Sequence, residues 1–186
     1  MILRPYQQRL VEAVFEKWRQ FRSTLIVAAT GTGKTEIFAT IIERNQPGRT
    51  LVLAHRTELI QQAREKIERR GLPCEIEKAD LYATTNLFHA TPVVVSSIQT
   101  QCSGPKDNRR YKRFNPKDFS LLVCDEGHHA CSPSWKEVID YYRQNPTLKV
   151  LGVTATPDRA DSEALGQVFE SVAGTYDILD AIQDGY

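Results

Sequence analysis

The chain lacks most of what would take it out of the ordinary globular class. Its cleanest apolar run, Leu25-Ile26-Val27-Ala28-Ala29, falls far short of the roughly 20 residues that a membrane-spanning helix needs. Met1 to Leu3 is followed at once by Arg4-Pro5, so there is no signal-peptide core, and no membrane partner is expected. Cysteine is scarce: Cys74, Cys102, Cys124 and Cys131 lie far apart with no C-x-x-C pair, which reads as the reduced thiols of an intracellular, cytoplasmic protein. Charge of either sign is not in excess. With 24 Lys+Arg against 23 Asp+Glu, a uniformly basic nucleic-acid coat is excluded, and any polyanion site must be a local patch. Repeats and low-complexity tracts are absent, and a 41% hydrophobic, 25% charged composition over 186 residues predicts one folded domain.

What is present alternates. Short β-branched runs, apolar on both faces, stand at Thr24–Ala28, Thr50–Ala54, Pro92–Val95, Leu121–Cys124 and Val150–Val153, as buried parallel strands do. Between them lie helical patterns. Tyr6–Phe21 groups Leu10, Val14, Phe15 and Trp18, and Lys34–Glu43 groups Ile37, Phe38, Ile41 and Ile42. Thr57–Arg70 groups Leu59, Ile60, Ala63 and Ile67, with Gly71 as its stop. Strands joined by crossover helices predict an α/β fold, a mostly parallel sheet with helices on both faces. The segment 104–118, with six Lys/Arg against two Asp, reads as a short solvated helix or loop, a charged surface being favoured over a nucleic-acid groove.

Directly after the first strand stands Ala28-Ala29-Thr30-Gly31-Thr32-Gly33-Lys34-Thr35. Gly31 and Gly33 would let backbone N–H groups turn toward a phosphate chain, and a helix opening at Lys34 would aim its positive end at the anion. Lys34 is placed to reach the β- and γ-phosphates, and the Thr35 hydroxyl to ligate magnesium. Ala28 takes the position where this pattern usually has glycine.

The fourth strand ends in Asp125-Glu126-Gly127-His128-His129, at the carboxyl edge where open α/β sheets bind ligands. Asp125 is suited to hold magnesium against Thr35, and Glu126 to orient or deprotonate an attacking water. His128 reads as a packed residue, a switch or a link to the rest of the domain, and His129 as packing or facing solvent.

In this order the residues resemble the first RecA-like, P-loop NTPase domain of superfamily II helicases and translocases, DExH-box type, in the branch of restriction-enzyme helicase subunits. Arg4-Pro5-Tyr6-Gln7 resembles the adenine-reading motif, and the loop through Thr30, Gly31, Thr32, Gly33, Lys34 and Thr35 resembles motif I. Ala54-His55-Arg56-Thr57-Glu58-Leu59 resembles motif Ia, Ser96-Ser97-Ile98-Gln99-Thr100 the next nucleic-acid motif, Asp125–His128 motif II and Thr154-Ala155-Thr156-Pro157 motif III. Gly127 stands where the family usually has alanine.

The resemblance implies an ATP hydrolase that uses ATP and Mg²⁺, with Lys34, Asp125 and Glu126 catalytic and Arg4, Tyr6 and Gln7 reading the base. Arg56, Ser97, Gln99 and Thr100 would grip a nucleic-acid backbone, DNA favoured over RNA, with weak sequence preference. His128, Thr154 and Thr156 would couple hydrolysis to movement. Residues 1–186 would form one lobe, with a linker beginning near residue 174 toward a second RecA-like lobe in cis or in a partner chain, and the lobe alone would be weak or inactive. Two rivals stand beside this expectation: a small-molecule kinase using the same loop, and a non-catalytic nucleic-acid-binding scaffold.

Overall fold

The computed structural model describes residues 3–155 and 164–185. Among the described residues, seven strands form one sheet in the order β3-β4-β2-β5-β6-β1-β7, and every pairing between them is parallel. The strands are β1 (Ser23–Ala28), β2 (Arg49–Ala54), β3 (Cys74–Glu77), β4 (Val93–Ser97), β5 (Phe119–Asp125), β6 (Lys149–Thr154) and β7 (Ser171–Tyr176). Helices α1 (Pro5–Lys17), α2 (Lys34–Arg44), α3 (Thr57–Glu68), α4 (Ile98–Gln101), α5 (Pro133–Tyr142) and α6 (Ile178–Gln183) connect or flank them.

The side-chain alternation of the strands makes two cores. Ile26, Val52, Val95, Val123 and Val153 meet the inward faces of α1, α2 and α3 on one side of the sheet. Leu25, Leu51, Val94, Leu122 and Val150 meet Trp135, Val138, Ile139 and Tyr142 of α5 on the other. Ile37, Phe38, Ile41 and Ile42 of α2 have no exposure at all, so each contributes about 1.5–3 kcal/mol of burial. The expected α/β sheet with helices on both faces is what forms.

Two strands escape the sequence pattern, and both are edges. β3 reads Cys-Glu-Ile-Glu and β7 Ser-Val-Ala-Gly-Thr-Tyr; being half-covered, neither needs a continuous apolar run. Residues 174–176, read as the start of a linker, complete β7 beside β1, and the Tyr176 ring stacks on Tyr6 at 3.8 Å. The helix boundaries are tighter than the patterns suggest. α1 stops at Lys17 and α3 at Glu68, with Gly71 (φ +77°) marking the turn beyond α3.

The basic segment is short, helical and largely exposed, as its pattern suggests, but it is anchored in ways the pattern does not show. It folds as three short 3-10 turns, Lys106–Asn108, Arg110–Arg113 and Pro116–Asp118, with Tyr111 and Phe114 buried in the second core. Arg110 Nε and Arg113 Nη1 lie 2.5 and 2.6 Å from Oε1 of the fully buried Glu77. Arg110 also donates to the carbonyls of Ala79 and Leu81. These two arginines therefore tie the β3 edge to the 3-10 segment, Arg110 largely covered and Arg113 still exposed. No helix among the described residues is long and apolar enough to cross a membrane.

Candidate nucleotide site and groove

The parallel register brings the ends of β1, β5 and β6 to one edge, with Val27 beside Thr154 and Asp125 beside Val153. The loop after β1 turns through Gly31 (φ +85°) and Gly33 (φ +76°), and Gly33 caps α2 in a left-handed conformation. Glycine suits that position by torsion, and a Cβ there would fall 2.6 Å from Gln7 Nε2 and push the amide end of that side chain aside. Thr32 closes the turn: its hydroxyl donates to the Ala29 carbonyl at 2.6 Å. Its carbonyl accepts from Tyr6 OH at 2.7 Å and Gln7 Nε2 at 3.0 Å, while Gln7 Oε1 accepts from the Arg4 N–H at 3.0 Å. The motif at the start of α1 is thus docked on the glycine loop. Thr30 is exposed, Thr35 is half-buried in the first turn of α2, and Lys34 Nζ donates to the Ala28 carbonyl at 3.2 Å.

Asp125 is buried at the end of β5, and its carboxyl is pushed up to about 6. Burial is the largest cause, followed by the neighbouring Glu126 carboxylate. The Glu126 N–H, donating at 3.1 Å, and the Lys34 ammonium pull the other way. Lys34 and Asp125 therefore share one electrostatic neighbourhood. Glu126 has φ +56°, a left-handed conformation that costs a non-glycine residue about 1 kcal/mol. The turn starts the 3-10 segment Gly127–Cys131, and a Cβ on Gly127 would press on Leu25 Cδ1 at 3.3 Å. His128 Nδ1 then lies 3.0 Å from Thr154 Oγ1 and 3.4 Å from Glu126 Oε2. Thr156 lies outside the described residues.

The groove residues gather at the other half of the same edge, after β2, β3 and β4. An open groove of about 540 Å³ is lined by His55, Arg56, Lys78, Ser97, Gln99 and Arg110, among others. Arg56 and Gln99 are exposed. Ser97 and Thr100 are buried: the Ser97 hydroxyl accepts from the Thr100 N–H at 3.1 Å and donates to Thr100 Oγ1 at 2.8 Å, capping α4. Their hydroxyls brace the groove floor, while Arg56 and Gln99 form its open face.

Two groove residues had no role in the sequence reading. Lys78 Nζ, donating to Thr57 Oγ1 at 2.8 Å, follows a strand too polar to be read. His55 stood inside a quoted motif without a role; its carbonyl accepts from Gln99 Nε2 at 3.2 Å, and its Nδ1 lies equally close. His129, read as packing or facing solvent, is half-buried between His128 and His55, with ring centroids 4.1 and 4.7 Å away. Burial, then the adjacent His128 and His55, lowers its pKa below the ordinary histidine value.

Comparison with known proteins follows the same lines. The family described as "Type III restriction enzyme, res subunit" matches residues 1–159. The Saccharomyces cerevisiae protein "Putative ATP-dependent helicase IRC3" is 30% identical over 207 residues, which cover 98% of this chain and 27% of that protein. The chain thus spans under a third of the length of this relative. The Pyrococcus furiosus Hef helicase domain superposes with a TM-score of 0.75 at 23% identity, covering 94% of this chain and 38% of that one. A nuclease-deletion mutant of the type ISP restriction-modification enzyme LlaGI, solved with a DNA substrate mimic, gives 0.72 at 20% identity, over 99% and 20% of the two chains. At these identities the structural likeness speaks for the fold.

Proposed function

The chain belongs to the type III restriction enzyme res-subunit family as an N-terminal RecA-like domain of superfamily II helicases, and we propose that it is the first motor lobe of an ATP-dependent DNA helicase or translocase. One observation carries this reading: β1 and β5 both pair in parallel with β6, so the glycine loop after Ala28 and the acid pair at the end of β5 open at the same carboxyl edge of the sheet. A triphosphate would be held there with its phosphates against the loop amides and the α2 N-terminus and its base toward Arg4, Tyr6 and Gln7. Gln7 spends one N–H on Thr32 and one acceptor position on Arg4, which leaves a donor and an acceptor for the adenine edge.

The donor set fits magnesium. Thr35 offers a hydroxyl and Asp125 a carboxylate, both hard oxygens, and the raised pKa of the buried Asp125 is the penalty that a divalent cation would offset. Mg²⁺ bound there would neutralise charge on the β- and γ-phosphates. Lys34 would leave the Ala28 carbonyl for the γ-phosphate. Glu126, held outward by its left-handed backbone and beside His128, would orient the attacking water and take its proton. Arg56 and Gln99 would hold a phosphodiester backbone over the floor braced by Ser97 and Thr100. Thr154 bonds to His128, so movement of β6 or of the residues after it, Thr156 among them, would be felt at Glu126.

DNA is favoured over RNA because a structural neighbour was solved with a DNA mimic. A second RecA-like lobe, in cis or from a partner chain, would supply the arginine finger, worth about 10³–10⁵ in rate in related phosphoryl transfer. Residues 1–186 alone would therefore bind ATP·Mg²⁺ weakly and turn over slowly. The test is ATP hydrolysis by the full-length protein with and without single-stranded DNA or RNA. Stimulation by DNA is expected; a larger stimulation by RNA would revise the substrate. Turnover that requires a small-molecule acceptor, or no turnover at all, would overturn the motor reading.

A further inference from the structure

The two halves of the carboxyl edge meet where β2 pairs with β5, Leu53 beside Cys124. The residues immediately beyond those strand ends therefore face each other although they are far apart in the chain. On the β2 side this is His55, which accepts the Gln99 amide inside the groove. On the β5 side it is the turn carrying Glu126, His128 and His129. His129 fills the seam: its ring lies 4.7 Å from His55 and 4.1 Å from His128, with Trp135 behind it at 6.5 Å. His128 in turn reaches Glu126 Oε2 and Thr154 Oγ1. A cavity of about 250 Å³ opens beside this row, lined by His55, Arg56, Leu59, Glu126, His128 and His129.

We propose that His129 is a positioning residue that couples occupancy of the groove to the placement of Glu126, through the continuous contacts Gln99–His55–His129–His128–Glu126. The inference rests on the motor reading above. Its physical content is packing. The paired backbones of β2 and β5 are stiff, so a displacement of His55 by a bound strand passes most easily through the ring that packs on it. Trp135 backs that ring, and the adjoining cavity gives the row room to shift. Coupling of this kind is reciprocal: the nucleotide must tighten the groove by the same factor that the strand tightens the nucleotide site.

The experiment measures, in the full-length protein, the affinity of a non-hydrolysable ATP analogue with and without a single-stranded DNA oligonucleotide, and the reverse. Wild-type protein is expected to show at least about fivefold mutual tightening. His129→Ala should reduce this below about twofold while each ligand alone binds within about twofold of wild type, and His129→Phe, which keeps a ring, should retain the coupling. Should the alanine variant unfold, His129→Leu replaces it, with the same loss expected. Full coupling in the ringless variant would overturn the inference and leave the motor reading standing. So would equal loss in the phenylalanine variant, or a wild type that binds both ligands with no mutual effect. A wild type that binds neither ligand overturns both.

Discussion

At the β5-β6-β1 half of the edge, polar groups converge without neutralising one another. Asp125 is held above its ordinary pKa, Glu126 sits on a left-handed turn, and Lys34 rests on a strand carbonyl. At the β3-β4-β2 half the polar groups are largely spent on each other. Glu77 is clamped by Arg110 and Arg113, Ser97 caps Thr100, and Lys78 holds Thr57. A site that must grip a charged ligand keeps its charges unneutralised at some cost to stability, whereas a surface that only has to present a backbone-shaped groove can be internally satisfied. The contrast separates Arg110 and Arg113, whose charges Glu77 takes up, from Lys34, which rests on a carbonyl near two acids.

The contrast can be broken most forcefully at Glu126. Glu126→Gln should lower nucleic-acid-stimulated ATP turnover by about 10²–10⁴-fold, with nucleotide binding retained in equilibrium titration. Near-normal turnover would move the catalytic burden off this half of the edge. On the other half the large effect should be on folding. Glu77→Ala takes the carboxylate from the largely covered Arg110, from the more exposed Arg113 and from the Ala83 N–H, and should cost about 3 kcal/mol in urea unfolding, with Glu77→Gln intermediate. A loss under about 1 kcal/mol would show that the arginines simply turn to water.

The smallest effect sharpens the comparison from outside both sites. Burial raises the Glu36 carboxyl, but hydrogen bonds and charge from Lys66 and Arg70, at 2.5 and 3.3 Å, outweigh it and hold the pKa below its ordinary value of 4.5. A lowered folded-state pKa gives stability that is full above the unfolded value and is lost as pH falls through the folded one. Unfolding free energy followed from pH 7 to pH 3 should therefore drop less steeply for Glu36→Gln than for wild type, by about 1 kcal/mol over the range. Identical slopes would mean that the α2–α3 clamp adds nothing.

Much of the nucleotide half was legible because its parts are contiguous. The loop Thr30–Thr35 and the acid pair each sit within a few residues of a strand end, and buried parallel strands announce themselves as apolar runs. The helix faces followed from period: Leu10, Val14, Ile37, Phe38, Ile41, Ile42, Ile60, Ala63 and Ile67 are buried, while Phe15 and Leu59 are only partly covered against the same core. The groove half was less legible. β3 is a half-covered edge with glutamates in it, so neither Lys78 nor Glu77 could be placed. Ser97 and Thr100 were recognised as polar residues at a helix start, but whether their hydroxyls face a ligand or each other depends on packing that no local pattern records.

The amino-acid order by itself determined the strand–loop–helix unit that suits a phosphate chain, the acids at a strand end and the alternation that forces an α/β sheet. These follow from backbone torsion and side-chain period, which act over a few residues. Tertiary structure decided which charges remain available. A parallel sheet sets non-consecutive strands side by side, so β2 beside β5 brings His55 against His129, and β3 at the rim brings Glu77 within reach of Arg110 and Arg113. Electrostatic and packing energies depend on distance through space, and chain order does not supply that distance until the sheet has closed.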